Sequence, residues 1–201
     1  MQTPRRKRHA LTHPASHLRL WLTLAVGLAA DLATKSLAWS TLGGPPEDGG
    51  RHIEALAGWL RLVASRNPGI VFGIDPSAYF GAAGPLVTAL LALATCVLIF
   101  VIFQGTRPRQ WMLHLLCGLV LAGAVGNLYD RLAFDGHVRD FIQITADLSV
   151  GSLRLNWPYV FNLADVYLVA GVGSLAVFYL FLGGRDAPNA APKRPAEPGR
   201  G

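Results

Sequence analysis

The run GPLVTALLALATCVLIFVIF, residues 84–103, is twenty residues long and contains no charged side chain. A helix of that length rises about 30 Å, the thickness of a bilayer's hydrocarbon core. The whole chain has 201 residues, 52% hydrophobic and 15% charged, with positive mean hydropathy. That composition fits either one compact domain or a small membrane protein that crosses the bilayer several times. Apolar runs of spanning length favour the membrane protein.

Working outward, Gln104 to Gln110 form a short link, so the next run, Trp111 to about Tyr129, is expected to lie antiparallel beside the first. Its Gly118, Ala122 and Gly126 make a four-residue ladder of small side chains that lets helices approach closely. An earlier run, Leu18 to Trp39, is also long enough to cross, and carries Asp31 and Lys35 near its far end. A basic start followed by an apolar run also describes a cleavable signal peptide; the length of this run and those two charges weigh against it. The last run extends from about Tyr159 to Leu182. The fold predicted is a polytopic α-helical membrane protein, four transmembrane helices with a small outer-face β-sheet. Its membrane domain covers 18–182, between disordered tails at 1–17 and 183–201.

Two regions, 40–82 and 132–158, are not apolar enough to span. Pro45-Pro46-Glu47-Asp48-Gly49-Gly50 reads as a loop from its turn chemistry. Trp59 to Ser65 alternates in places like a half-buried strand, Asn67-Pro68-Gly69 makes a turn, and Ile70 to Ile74 can return as a second strand. Ser152 to Trp157 alternates as well and would add another strand to a sheet on the membrane surface. A strand pair alone is marginal and needs helices or lipid to cover it.

Charge sets the orientation. The N-terminal tail with Arg19, the link with Arg107 and Arg109, and the C-terminal tail hold 11 of the 18 basic residues but only Asp186 and Glu197 of the 12 acids. With four spans these three pieces share one side, and the basic bias makes that side cytoplasmic. Both termini are then cytoplasmic, and both long loops with the conspicuous acids face outward. Charge so unevenly placed argues against a nucleic-acid surface. Cys96 and Cys117 lie inside apolar runs, which leaves no disulfide framework and no CxxC site. The six histidines form no HExxH motif and no zinc set, and no phosphate-binding glycine loop or activated nucleophile is present.

The chemistry concentrates in Gly126-Asn127-Leu128-Tyr129-Asp130-Arg131, in Gly136-His137-Val138-Arg139-Asp140-Phe141, and in Phe161-Asn162-Leu163-Ala164-Asp165. Ionisable groups at the mouth of a membrane bundle are costly and mark function by default. Asp140 and Asp165 are the candidate reacting pair. Two carboxylates in a water-poor site share a proton, so one serves as acid and the other as base. A plainer reading has Asp165 capping the fourth helix and Asp140 paired with Arg139 or Arg131. Asn127 and Asp130 stand three apart on one helix face, and Asp130 with Arg131 reads as a network holding the mouth. Asn162 is placed to orient a carboxylate or a substrate carbonyl. Asp31 and Lys35, four apart, suit an ion pair. Asn67 and Gly69 offer hydrogen bonds to a peptide or form an ordinary turn. A proton relay in a transporter subunit and a metal-assisted lipid hydrolase are the competing functions.

Four blocks resemble those of the bacterial lipoprotein signal peptidases, the signal peptidase II family of membrane aspartyl peptidases. They are Asp31-Leu-Ala-Thr-Lys35, Arg66-Asn-Pro-Gly69 through Phe72-Gly73, Gly126 through Asp140-Phe141, and Phe161 through Asp165, in the family's order. The resemblance implies removal of signal peptides from prolipoproteins in the bacterial inner membrane. Cleavage would fall just before a cysteine already carrying diacylglycerol. By motif position Asp140 and Asp165 match the catalytic pair. Asp31, Lys35, Asn67, Gly69, Gly126, Asn127, Asp130, Arg131, Asn162 and Ala164 match positions that support the site or contact substrate. No metal or organic cofactor is implied. The expected partners are diacylglyceryl-modified prolipoproteins and membrane lipid, with no nucleic acid, and the expected state is a monomer. Arg139 departs from the pattern: the family usually has an apolar residue there. With its head facing the carboxylates it would lower the pair's apparent pKa; alternation along an extended segment would instead turn it away from them.

Overall fold

A computed structural model describes residues 10–56, 58–69, 76–146, 148–150, 153–155 and 159–182. Four helical stretches are long and apolar enough to cross a membrane: Pro14–Leu42, Ser77–Gly105, Trp111–Ala133 and Leu163–Phe181. The helices within them are α1 (Pro14–Leu42), α2 (Ser77–Phe80), α3 (Gly84–Gly105), α4 (Trp111–Ala133) and α5 (Leu163–Val177). A wider π turn, Phe178–Leu182, carries α5 onward. Leu86, Leu90, Leu93, Val97 and Val101 of α3 are exposed, an apolar surface that water would penalise and hydrocarbon would not.

The most buried of the four is α4, which touches α1, α3 and α5. The small-residue ladder explains how α1 comes so close. A Cβ added at Gly118 would lie 2.6 Å from the Leu20 carbonyl oxygen, and one at Gly27 of α1 would lie 2.9 Å from the Ala122 Cβ. At Gly126 an added Cβ would press into the Asp31 carboxylate. On the next face, Gly123 admits the Ala164 carbonyl of α5. Backbones brought this close gain dispersion contacts, which carry helix association where the surrounding solvent is itself apolar.

Helix α1 starts earlier than its apolar run. Pro14 occupies the first turn, where a missing N–H costs nothing. Ala10–Thr12 forms a 3-10 turn whose Ala10 N–H donates to Thr106 O at 3.0 Å. His17 and His114 each present a ring edge to Phe103, at centroid distances of 5.3 and 5.4 Å. Residues 10–17, expected in a disordered tail, therefore pack on the bundle. Residues 1–9 and 183–201 lie outside the described residues.

At the other end of the bundle sits an antiparallel sheet in the order β1 (His52–Leu56), β2 (Leu60–Asn67), β3 (Val138–Ile144), β6 (Val160–Phe161). The register sets Ser65 against Asp140 and Phe161 against Ile142. The expected strand near 152–157 does not join this sheet. Strand β5 (Leu153–Leu155) instead folds back on β4 (Leu148–Val150) as a separate pair, and the edge beside β3 is taken by β6, which leads directly into α5. The proposed return strand at Ile70–Ile74 lies outside the described residues; β2 pairs with β1 and β3. Within the 45–50 loop, Pro46–Asp48 makes one 3-10 turn.

Candidate active site

The site is assembled where β2, β3 and the start of α5 meet α1 and α4. Asn162 begins α5 as its N-cap, with extended backbone at φ −130° and ψ −177°. Its Oδ1 accepts the Asp165 N–H at 3.1 Å, and Asp165 Oδ2 accepts the Asn162 N–H at 3.0 Å. This reciprocal capping box satisfies two backbone donors that the helix would otherwise leave bare. Asp165 therefore does cap the fourth spanning helix, and the cap spends only one of its oxygens. The other, Oδ1, accepts from Asn127 Nδ2 at 2.8 Å.

Asp140 comes from β3 and is 1% exposed. Its Oδ1 accepts from Asn162 Nδ2 at 2.6 Å and its Oδ2 from Asn67 Nδ2 at 2.8 Å. Asn67 is fixed in turn by the Gly69 N–H, which donates to its Oδ1 at 2.8 Å. Arg131 ties this turn to α4 by donating to Gly69 O at 2.5 Å and to Asn127 O at 3.1 Å.

The two carboxylates are thus joined by an amide bridge. Asn162 Nδ2 reaches both Asp140 Oδ1 and Asn127 Oδ1, the latter at 3.1 Å, and Asn127 Nδ2 reaches Asp165. Each amide has only one workable orientation. Its NH2 faces acceptor-only carboxylates, while its oxygen faces N–H or ammonium donors. Burial first, and then the like charge of Asp165, push the Asp140 carboxyl up to about 7. The Asn67 and Asn162 amides and the Lys35 ammonium pull the other way.

A second carboxylate pair lies alongside. Lys35, Asp31 and Asp130 are all fully buried. Lys35 Nζ sits 2.8 Å from Asp31 Oδ2, 3.4 Å from Asp130 Oδ2 and 2.9 Å from Asn127 Oδ1. Asp31 Oδ1 accepts the Ala164 N–H at 2.9 Å, so α1 supplies another cap to the start of α5, where negative charge is favoured. Gly126 leaves the space that the Asp31 carboxylate occupies.

The sequence candidates converge: Asn67, Asn127, Asp140, Asn162 and Asp165 share one hydrogen-bond network, to which Lys35 connects Asp31 and Asp130. Asp130 and Arg131 join this network through separate partners. Asp130 does not pair with Arg131, its neighbour about 100° around the helix. It pairs instead with Lys35 and with Arg139, whose Nη2 lies 2.8 Å from Asp130 Oδ1. Nor does Asp140 pair with Arg139 or Arg131; its two oxygens accept from the Asn67 and Asn162 amides. Arg139 itself was legible only as an oddity, since no local pattern reveals which helix a strand side chain will reach.

The signal peptidase (SPase) II family profile matches residues 23–181. A lipoprotein signal peptidase of Methylocella silvestris is 38% identical over 165 residues, covering 80% of this chain and 84% of that protein. One from Desulfitobacterium hafniense is 33% identical over 164 residues, covering 80% and 92%. A solved structure described as a bacterial membrane enzyme, determined by the in meso method at 2.3 Å resolution, superposes with a TM-score of 0.63. It is 22% identical and covers 88% of this chain and 93% of its own, a likeness of fold. The chain belongs to the signal peptidase II family of aspartic peptidases, and its four apolar helices make it a multi-pass membrane protein.

Proposed function

We propose that this enzyme removes signal peptides from prolipoproteins, cleaving before a cysteine that carries diacylglycerol, with Asp140 and Asp165 as the reacting pair. The observation that carries this reading is a buried Asp140 carboxyl, pushed up to about 7, linked to Asp165 through a frame of amides. One carboxylate takes a proton from water as it attacks the scissile carbonyl while the other protonates the carbonyl oxygen; the proton taken from water then goes to the leaving amine as the C–N bond breaks, and the second carboxylate recovers a proton from the hydroxyl as the new carbonyl forms. Asn67, Asn127 and Asn162 hold both groups without cancelling their charge. Strand β3 continues from Asp140 to an apolar hollow of about 690 Å³ lined by Leu56, Trp59, Leu60, Ile142, Ile144 and Phe161. Such a surface suits the lipid-bearing end of the substrate, whose binding energy would place the peptide bond at the acids. The basic bias of the tails and of the α3–α4 link supports an inner-membrane orientation with both termini cytoplasmic and the site near the outer face.

The test is cleavage of a synthetic diacylglyceryl-prolipoprotein peptide by the purified chain in detergent, with and without a chelator. The parent should cleave in both. Asp140→Asn should lose at least about 100-fold in rate while remaining folded and membrane-inserted. Near-parental turnover by that variant would refute the pair, and chelator-sensitive cleavage would turn the mechanism toward a metal.

A further inference from the structure

Arg139 and Asp140 are adjacent on β3, and their side chains leave opposite faces of the strand. Asp140 enters the amide frame, whereas Arg139 turns back toward α4 and α1. Its backbone N–H donates to Asp130 Oδ2 at 2.9 Å, and its Nη2 and Nε reach Asp130 Oδ1 at 2.8 and 3.3 Å. Nη1 lies 3.4 Å from Ser36 Oγ, and the guanidinium carbon stands 4.1 Å above the centre of the Phe134 ring. With 8% of its surface exposed, this is a desolvated cation, and Asp130 beside it is fully buried.

Charge balance gives the arrangement its meaning. Asp31 and Asp130 are two buried anions, and Lys35 and Arg139 are the two cations among them. Arg139 is the nearer cation to Asp130, at 2.8 Å, while the Lys35 ammonium stands 3.4 Å from Asp130 Oδ2 and 2.9 Å from Asn127 Oδ1. That bond orients the Asn127 amide, whose other end holds Asp165. The same arginine joins β3 to α4 one residue before Asp140.

We propose that Arg139 is a positioning residue for the peptidase reaction. It neutralises Asp130, leaves Lys35 to orient Asn127 toward Asp165, and locks β3 to α4 so that Asp140 faces Asp165 through the Asn162 bridge. The inference rests on the reading of Asp140 and Asp165 as the reacting pair. A single chain position then supports both halves of that pair, Asp140 along the strand and Asp165 through Asp130, Lys35 and Asn127.

The experiment compares kcat, KM and the pH profile for the full chain and two variants in detergent, on the same lipidated peptide, with thermal unfolding recorded alongside. Arg139→Met should lower kcat roughly 10- to 100-fold, with KM changed little, since a small misplacement of reacting groups has that effect. Losing a nearby positive charge makes the carboxylate pair hold its proton more tightly, so the profile should move to higher pH. Pairing Arg139→Met with Asp130→Asn removes an anion with its cation and should return the profile to the parent's. An Arg139→Met protein with parental kcat and pH profile per folded molecule, even one that unfolds at lower temperature, overturns the inference and leaves the peptidase standing. If Arg139→Met does not fold, the double variant decides: a parental profile supports the inference and a displaced one overturns it. A parent that cleaves none of several lipidated peptides would instead refute the peptidase reading on which the inference rests.

Discussion

Two pairs of aspartates sit side by side in this bundle and are treated in opposite ways. Asp31 and Asp130 face Lys35 and Arg139, cations that match them charge for charge. Asp140 and Asp165 face Asn67, Asn127 and Asn162, which donate hydrogen bonds but carry no charge. Cations beside a buried carboxylate offset its charge and make the group a structural fastener. Amides fix position while leaving the proton free to come and go, which acid–base chemistry requires. Asn127 belongs to both groups: its oxygen accepts from Lys35 and its nitrogen donates to Asp165. The fastening pair is therefore linked to the proposed reacting pair through one side chain.

The comparison breaks most readily at Lys35. Lys35→Met leaves Asp130 with Arg139 and Asp31 with only the Ala164 N–H, and stranding a buried charge costs about 3–5 kcal/mol. Thermal unfolding in detergent should fall sharply for this variant and change little for Asp140→Asn. Equal losses in the two would erase the distinction between fastener and reacting group. Titration sharpens it. A proton on the Asp140 side of the pair is held below about pH 7 and lost above it. Raising the pH through that value should therefore reduce cleavage while the folded fraction stays constant; a rate that climbs steadily through pH 8 would contradict the shared proton. The smallest effect belongs to an exposed pair, Arg61 and Glu54, 2.6 Å apart between β2 and β1. Arg61→Ala should change both stability and rate little, because an exposed ion pair contributes about 0–1 kcal/mol. A large loss there would mean that the outer strands hold the site more tightly than the inner charges do.

Much of this was written locally. Uncharged runs near twenty residues long have no stable place except a membrane or a large core, so the spans at 84–103 and 111–129 reappear as the bulk of α3 and α4. The Asn-Leu-Ala-Asp tetrapeptide caps the helix it opens, because a capping box closes over three residues and needs no distant partner. Likewise Asp31 and Lys35, one helical turn apart, meet as their spacing predicts. Four motifs in family order carried the peptidase expectation further than any of them alone.

Tertiary structure decided the rest, because it concerns which distant groups meet. Neighbours on a helix diverge by about 100°, so Asp130 and Arg131 part company, and Asp130 finds its cations on α1 and β3. Alternation along β3 turns Arg139 away from Asp140, as a strand must, but only the packing of α4 beneath the sheet put a carboxylate there to receive it. Strand pairing was hidden for the same reason. Which of several short strands lies beside Val138–Ile144 depends on loops and helix ends far apart in the chain, and β6 took the place by leading straight into α5. Composition and spacing determined that acids, amides and cations gather at one end of a membrane bundle. The fold alone determined which acids meet cations and which meet amides, since that depends on distances of a few ångströms between residues up to about a hundred positions apart.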